Sequence, residues 1–451
     1  MRSRREFVKK CCSLAGAGGL AHLTRFGLMT ASAQTNPGYK ALVCIYLAGG
    51  NDCNNLVVPL SSQGYQDYST SRSELALSTA SLLSIPLSGG AATFGLHPKL
   101  TGIQNLYNQG KAALVFNVGT LVQPTSKDVY LARQAPVPKN LFSHSDQTSQ
   151  WQTSNTAASG DLGWGSGWGA RVMNLLQGMN GTSFPPAVSV SGESAFLDGT
   201  QIPPFTSNGG GSLGLAVFGS SQETLVREAA MQQIMTLDTG FSLVASGNGL
   251  MQNAITTVQN LNGALAGLPA LQTPFPNTTL GKQLQQIASI IQARNAFGMN
   301  RQIFFCSMGG YDTHVDTVNV QGGLLATLDP ALSAFYAATH ELGVDQSVTT
   351  FTESEFGRTC QPSSGHGSDH AWGSHHIVIG GAVHGGEGYG TFPSLVLGGP
   401  DDADTRGVWI PTTSLDQYTA TLAAWFGVSP DVLTTIFPNL HNFTTKVLGF
   451  I

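Results

Sequence analysis

Charged residues are scarce in this sequence, and their scarcity limits what the protein binds. Only 10% of the 451 residues are Asp, Glu, Lys or Arg, and the formal net charge is −5. This balance argues against nucleic acid or an anionic membrane surface as a partner. Beyond the N-terminal segment, no stretch reaches the ~18 uninterrupted apolar residues of a spanning helix. We therefore predict no stable membrane insertion.

Cysteine is also scarce, and its spacing excludes a common kind of metal site. Beyond Cys11 and Cys12, the four cysteines are Cys44, Cys53, Cys306 and Cys360. They contain no CxxC pair, which argues against a structural zinc site. Two of them, at 44 and 306, lie in apolar runs and are predicted to be buried thiols. The other two follow strand ends, which leaves a disulfide open in an oxidising compartment.

The N-terminal segment has the three parts of an export signal. Arg4 and Arg5 precede a Gly/Ala-rich stretch, which ends in small residues at Ala33. The paired arginines favour the twin-arginine route, which carries folded proteins. The alternative is an uncleaved membrane anchor, but His22 and Arg25 interrupt the apolar part. We predict cleavage near Ala33 and export to the periplasm or the extracellular space.

The predicted mature chain, residues 34–451, is expected to be a single α/β domain. Removing residues 1–33 takes away six of the 21 basic and one of the 26 acidic residues, which leaves a net charge of −10. Apolar runs that predict buried strands lie at 41–50, 112–119, 186–192, 301–310, 347–353 and 376–383. Helical stretches alternate with them, so we predict a mostly parallel sheet with helices on both faces. The segment of about 221–300 lacks strand patterns and is predicted to be a helical cap.

Polar residues that suit a metal site lie at four strand ends. They are Asp52, Asp312 with His314, Glu355 with Arg358, and His370. Residues just beyond the carboxyl ends of parallel strands share one edge of the sheet, so we expect these side chains to converge. Carboxylates and imidazoles bind zinc, manganese or iron, and oxygen-rich parts of such a set also suit calcium or magnesium.

Each of these residues also has an ordinary structural interpretation. Asp52 or Asp312 would cap a helix or close a turn. Glu355 and Arg358 would form a surface ion pair. The metal interpretation is favoured because four strand ends would otherwise carry such residues by coincidence.

A nucleophile is harder to assign from the sequence. Ser145 and Asp146 lie at the start of a predicted helix, where free backbone N–H groups hold an oxyanion or a phosphate. The alternative interpretation of either residue is a plain helix cap. Ser145 is the candidate nucleophile, and water activated by a metal is the alternative.

Seven sequence motifs resemble a known family. They are AGGND (48–52), LFSHSDQ (141–147), GWG followed by Arg171, GGYDTH (309–314), SEFGR (354–358), DHAWG (369–373) and TSLDQYTATLAAWFGV (413–428). Their order resembles domain-of-unknown-function family 1501, a group of exported bacterial proteins, over nearly the whole mature chain. That family is similar to the alkaline phosphatase and sulfatase superfamily, which implies an alkaline phosphatase-like fold.

The resemblance implies a two-metal layout with one half weakened. The implied ligands are Asp52 and Glu355 on one side, and Asp312, His314 and His370 on the other. Phe356 stands where the superfamily has a further histidine ligand. The same layout brings together the strand ends that carry Asp52 and Glu355, so a disulfide between Cys53 and Cys360 is expected.

The resemblance implies an exported hydrolase of phosphate or sulfate esters that depends on a divalent metal, zinc or manganese. Ser145 or activated water would attack, and Arg358 would bind the anionic group of a small-molecule or polymer ester. The alternative hypothesis is a non-catalytic exported protein that keeps the fold and binds a polymer or a protein partner.

Overall fold

A nine-stranded sheet is the centre of the fold. The computed structural model describes residues 38–87, 93–157, 165–181, 184–208, 221–237 and 240–451, so the predicted export signal lies outside the described residues. The strands in these ranges are β1 (Lys40–Leu47), β2 (Val57–Pro59), β3 (Leu83–Pro86), β4 (Thr93–Leu96), β5 (Ala112–Gly119), β6 (Ala187–Ser189), β7 (Phe205–Thr206), β8 (Arg301–Met308), β9 (Val348–Glu353), β10 (Ser374–Gly380), β11 (Gly388–Tyr389) and β12 (Thr413–Ser414).

Helices connect most of these strands. The α-helices of the described ranges are α1 (Ser62–Arg72), α2 (Thr101–Asn108), α3 (Lys127–Leu131), α4 (His144–Thr153), α5 (Trp168–Leu176), α6 (Gln222–Met235), α7 (Ser242–Ala266), α8 (Thr279–Gln292), α9 (Thr317–Glu341), α10 (Leu415–Phe426) and α11 (Leu433–Ile436). Among the described residues, none of these helices combines the length and the apolar character needed to cross a bilayer.

The large sheet is mostly parallel, as predicted. Its strand order is β11-β5-β10-β9-β1-β8-β6-β7, with β12 paired to β5. The central strand β1 runs parallel to both β8 and β9. The six apolar runs in the sequence all form strands of this sheet, because each is buried on both faces.

Helices cover both faces of this sheet. Alternate residues of β1 enter two separate cores, because successive side chains of a strand point to opposite faces. Val43 and Ile45 pack with residues of α2, α8 and α9. Leu42 and Cys44 pack with residues of α4, α5 and α10. The predicted two-layer cover of the sheet is confirmed.

The strand β10 runs against its neighbours and sets the position of His370. It pairs antiparallel with both β5 and β9. A residue that precedes an antiparallel strand lies at the same edge as residues that follow the parallel strands. The direction of β10 therefore brings His370 to the edge where Asp312 and Glu355 lie.

The described residues of the segment 221–300 contain the helices α6, α7 and α8, which differ in burial. Within the described residues of this segment, α8 packs Leu284 and Ile287 into the core beside the sheet. The helix α6 buries no residue, and α7 buries only Ile255 and Leu261.

A small second sheet was not predicted from the sequence. It is antiparallel, in the order β2-β4-β3. Its strands have three or four residues, which is too short for an alternating pattern to be recognised.

The structure contradicts the predicted Cys53–Cys360 disulfide. Both residues are buried free cysteines. The Cys53 thiol donates to the carbonyl of Gly373 at 3.7 Å, and Cys360 packs in a cluster with Trp409. Burial raises the pKa of each thiol to about 12, which keeps both protonated.

Candidate metal centre

The loop that follows β8 carries Asp312 and His314, and it lies tightly against the loop that follows β1. The backbone N–H of Tyr311 donates to the carbonyl of Ala48 at 3.1 Å. Gly49 has a φ of 118°, and a Cβ at this position would lie 2.3 Å from the backbone nitrogen of Asp312. Only glycine permits this contact, which explains the glycine at this position of the AGGND motif.

Three imidazoles surround the carboxylate of Asp312. The Nε2 atoms of His314 and His370 lie 3.0 and 3.2 Å from its Oδ1 atom. The Nε2 atom of His144 lies 3.5 Å from its Oδ2 atom. The first two imidazole nitrogens lie only 3.1 Å from each other. Three of these side chains, His144, Asp312 and His370, each bring one donor atom within 4.8 Å of the other two.

The other ring nitrogen of each histidine contacts an oxygen. The pairs are His144 Nδ1 with Glu355 Oε1 at 3.0 Å, His314 Nδ1 with Asp369 Oδ1 at 3.3 Å, and His370 Nδ1 with the Phe142 carbonyl at 2.7 Å. Histidines that bind metals nearly always donate their second N–H to a carboxylate or a carbonyl, which fixes the tautomer and the ring orientation. All three rings have this arrangement.

The contact of His370 shows why a cation suits this point. A carbonyl oxygen only accepts, so Nδ1 of His370 carries the hydrogen that it donates to Phe142. In the neutral ring, Nε2 then presents a lone pair to a carboxylate oxygen of Asp312. Two acceptors this close repel each other unless a proton or a metal lies between them.

The buried side chain of Arg358 binds the carboxylate of Asp312. Its guanidinium is fully buried and donates to Oδ1 of Asp312 at 2.7 Å and to the carbonyl of Ser368. Burial alone would raise the pKa of Asp312, but the hydrogen bond and charge of Arg358, helped by neighbouring imidazoles, lower it below its usual value. Asp312 is therefore a carboxylate at neutral pH.

The pKa values of two of the histidines shift in opposite directions. The hydrogen bond from His144 to Glu355 and the negative charges nearby raise the pKa of His144. Burial lowers the pKa of His370, and the charges of Arg358 and His144 lower it further. His370 is thus the readier of the two to offer a neutral nitrogen.

Glu355 is buried and orients one histidine. Its Oε1 atom accepts from the backbone N–H of Gly49 at 2.7 Å and contacts His144. Its Oε2 atom is buried and has no hydrogen-bond partner in the part of the chain that the structure describes.

Phe356 packs beside the imidazoles. Its ring stacks on His370 with a centroid distance of 4.5 Å and lies 5.0 Å from the ring of His144. It also packs so closely against the loop after β1 that a Cβ at Gly50 would lie 2.4 Å from the phenyl ring. Phe356 therefore holds two imidazole planes in place.

Asp52 does not join this cluster. Its side chain is 1% exposed and forms an ion pair with the fully buried guanidinium of Arg72. The other carboxylate oxygen accepts from the backbone and side-chain nitrogens of Asn54, each at 3.1 Å. A protein cation already neutralises this carboxylate.

Ser145 follows His144 in the first turn of α4. It is exposed, and its hydroxyl lies 3.3 Å from that of Ser143. Ser143 caps the helix and contacts the carboxylate of Asp146 at 2.5 Å.

The centre is open to solvent. The exposed fractions of the side chains are 41% for His144, 43% for Asp312, 44% for His314 and 21% for His370. Catalytic zinc sites keep one coordination position free for water or substrate, and this exposure leaves room for it.

Four of the five ligands predicted from the sequence lie in this cluster, namely Asp312, His314, Glu355 and His370. Two further residues of the cluster, His144 and Asp369, were not predicted. His144 lies next to Ser145 in the LFSHSDQ motif, and its neighbour was singled out instead. Asp369 lies beside His370 and orients His314. A histidine or a carboxylate next to a suspected site residue was the available signal in both cases.

Residues 39–398 match the family model described as a protein of unknown function, DUF1501. The chain belongs to this family. No curated protein matches this DUF1501 chain.

Two solved structures are similar to this DUF1501 protein at low identity. One is the PsFucS1 sulfatase from Pseudoalteromonas sp., with 10% identity and a TM-score of 0.37 over 90% of this chain and 72% of the other. The second is Ps i-CgsB in complex with k-i-k-neocarrahexaose, with 11% identity and a TM-score of 0.36 over 90% and 75%. Scores this low carry no inference about activity.

Proposed function

We propose that this protein is an exported, divalent-metal-dependent hydrolase of phosphate or sulfate esters. The observation that supports a metal centre is the arrangement of three histidines around Asp312. Each Nε2 faces Asp312, and each Nδ1 contacts an oxygen. The ester class rests on the motif resemblance, and export rests on the twin-arginine pattern.

The donor set favours zinc or manganese. The ligands we propose are Asp312, His144, His314 and His370. Zinc–ligand distances of about 2.0–2.2 Å place neighbouring donors of a tetrahedral site about 3.3 Å apart. The separations of His314 and His370 from Oδ1 of Asp312, 3.0 and 3.2 Å, fit this spacing, and His144 lies 3.5 Å from the other oxygen, Oδ2. Imidazole nitrogens favour these metals over calcium.

A metal bound here would polarise an ester oxygen and increase the acidity of a water molecule. Other residues would position the ligands or attack the ester. Arg358 is buried, so we assign it to positioning Asp312 rather than to binding the substrate. Glu355 and Asp369 orient two histidines, and we propose Ser145, the exposed hydroxyl that follows His144 in the sequence, as the nucleophile.

The decisive experiment measures metal content and ester hydrolysis on the same protein. We expect about one zinc or manganese per chain after incubation and dialysis, with hydrolysis of an aryl phosphate or an aryl sulfate. Asp312→Ala and His370→Ala should each weaken metal binding at least ~100-fold, more than the loss of an orienting partner. His441→Ala is the matched control, because this exposed histidine lies outside the cluster and its Nδ1 atom contacts the carbonyl of Pro438.

A binding scaffold is the second candidate function. The observation that favours it is the ion pair of Asp52 with Arg72, which removes one carboxylate from a metal site. Protein that stays folded but metal-free after incubation would support the scaffold. Protein that binds metal but cleaves neither ester would retain the centre and contradict the proposed substrate class.

Export has its own test, independent of the metal. Replacing Arg4 and Arg5 together with lysine should leave the precursor in the cytoplasm, because the receptor recognises the arginine pair. Cell fractionation measures the distribution, and normal export of the double variant would contradict the proposed route.

A further inference from the structure

The helix α7 carries no charged residue over its whole length. Its 25 residues, Ser242–Ala266, contain no Asp, Glu, Lys or Arg, and only Ile255 and Leu261 are buried. A helix at the surface of a monomer usually presents charged residues to water. On the preceding helix α6, the ion pair of Arg227 with Glu223 lies near its start, and residues 229–235 carry no charge.

Large apolar side chains are concentrated on the surface of these two helices and their connection. Of the sixteen exposed large apolar residues in the described part of the chain, nine lie here: Leu225, Val226, Ile234, Leu237, Phe241, Leu243, Val244, Leu250 and Met251. At roughly 150–200 Å² per fully exposed large side chain, these nine expose about 900 Å² in total, summed over all sides of both helices. A stable interface buries about 800 Å² per partner, and the side of α7 that carries Leu243, Val244, Leu250 and Met251 supplies part of such an area.

One stripe of α7 has the spacing of a helix–helix contact. Leu243, Gly247, Leu250 and Ala254 follow one another at intervals of four, three and four residues. Large and small residues alternate along this seam, as knobs and holes do between packed helices. A Cβ at Gly247 would meet nothing within 4 Å in this chain. Glycine inside a helix costs about 0.5–1 kcal/mol relative to alanine, and packing within this chain does not account for it.

A cavity of about 400 Å³ lies between the two helices near their connection. Met235 and Leu237 line it from one side, and Asn248, Gly249 and Gln252 line it from α7. Phe241 and Leu243 protrude close by, with 70% and 83% of their surface exposed. The same hairpin thus carries both an apolar projection and a recess of mixed apolar and polar lining.

We propose that the α6–α7 hairpin pairs with the same hairpin of a second copy of this chain and forms a two-fold symmetric four-helix bundle. A two-fold interface is self-complementary, so one surface must supply both projection and recess. The protein is acidic overall, and a contact made along α7, which carries no charged residue, lets two acidic copies approach. An anionic bilayer is disfavoured as the occupant, because binding to it usually needs basic residues that α7 lacks.

The test is the oligomeric state of the full mature chain. Light scattering and sedimentation should show that the chain forms a dimer as its concentration rises from about 1 to about 100 μM. Leu243→Glu combined with Leu250→Glu should raise the dissociation constant at least 100-fold. Leu131→Glu is the matched control, because this residue on α3 is 58% exposed and lies outside the hairpin.

Two further measurements keep the outcomes distinct. Gly247→Trp should also abolish the dimer, while its melting temperature should equal that of the wild type at concentrations where both are monomers, since a side chain at this position meets open space in one copy. A wild-type chain that stays monomeric, or a double glutamate variant that stays dimeric, would overturn the proposal. Binding of a monomeric chain to neutral lipid vesicles, lost in the double variant, would assign the surface to a bilayer instead.

Discussion

Arg72 fills the position of a cation beside Asp52. Besides this ion pair, its guanidinium donates to the side chain of Asn55 and to the carbonyls of Thr359 and Cys360, each at 3.1 Å. No local pattern connects residue 72 in α1 with residue 52 after β1. The sequence therefore predicted an acidic residue at this strand end but not the internal partner that neutralises it.

Arg72→Met should lower the free energy of unfolding by about 3–5 kcal/mol, because it leaves the buried carboxylate of Asp52 without a partner. Urea denaturation measures the loss, and Arg133→Met at an exposed position is the control. In the proposed centre Asp52 is not a ligand, so folded Asp52→Asn should keep its metal. An unchanged stability for Arg72→Met, or a metal-free Asp52→Asn, would contradict this assignment.

Glu353 is the second residue with a measurable consequence. Burial raises its pKa to about 8, although hydrogen bonds from Trp168 and Cys44 oppose the shift. A carboxyl whose pKa is raised by folding binds more protons in the native than in the unfolded state, so stability falls as pH rises. The loss should begin near pH 4.5, the usual pKa of a glutamate, and be complete above about pH 8.

Glu353→Gln should remove this pH dependence. We expect the variant to gain up to about 4 kcal/mol relative to the wild type between pH 5 and pH 9, at 1.36 kcal/mol per pKa unit. Denaturant unfolding at the two pH values measures the difference. A constant difference between the two proteins would contradict burial as the cause.

At the scale of elements, the sequence predicted the long strands of the large sheet but not the direction in which each of them runs. Apolar runs such as 112–119 are long enough to specify a buried strand, but they do not specify its direction. The antiparallel β10 depends on pairing with both β5 and β9, which is a long-range contact. The short strands β2, β3 and β4 were missed because three or four residues carry no period.

The contact between the loops after β1 and β8 gives a prediction at this scale. Gly49→Ala should separate the two loops, because its Cβ would lie 2.3 Å from the Asp312 nitrogen at a φ of 118°. Strain of this kind costs about 1–3 kcal/mol. We expect metal affinity to fall at least ~10-fold, as for a lost orienting partner.

Gly178→Ala is the matched control for this substitution. A Cβ there would meet nothing within 4 Å, and its φ is not positive. Zinc titration against a competing chelator measures the affinities of both variants. Equal affinities would show that the approach of the two loops does not position Asp312.

At the scale of the whole molecule, the candidate centre gathers residues that lie far apart in the sequence. His144 comes from α4, Asp312 and His314 follow β8, and His370 precedes β10. The strand ends identified three of these four, because the edge of a parallel sheet is a general meeting point. His144 starts a helix, and only packing of that helix against the edge brings it there.

Because its ligands come from separate elements, a metal at this centre should stabilise the whole fold. A ligand that binds only the native state adds about 2.7 kcal/mol at a concentration of 100 times its dissociation constant. We expect a chelator to lower the melting temperature by several degrees and zinc to restore it. His370→Ala should remove this response, while His441→Ala should keep it.

The shift in melting temperature on zinc binding should be larger at pH 7.5 than at pH 5.5, because the metal binds deprotonated imidazole and the raised pKa of His144 favours its protonated form. Identical melting temperatures with and without chelator at pH 7.5, in protein first incubated with zinc, would rule out a metal bound across these elements.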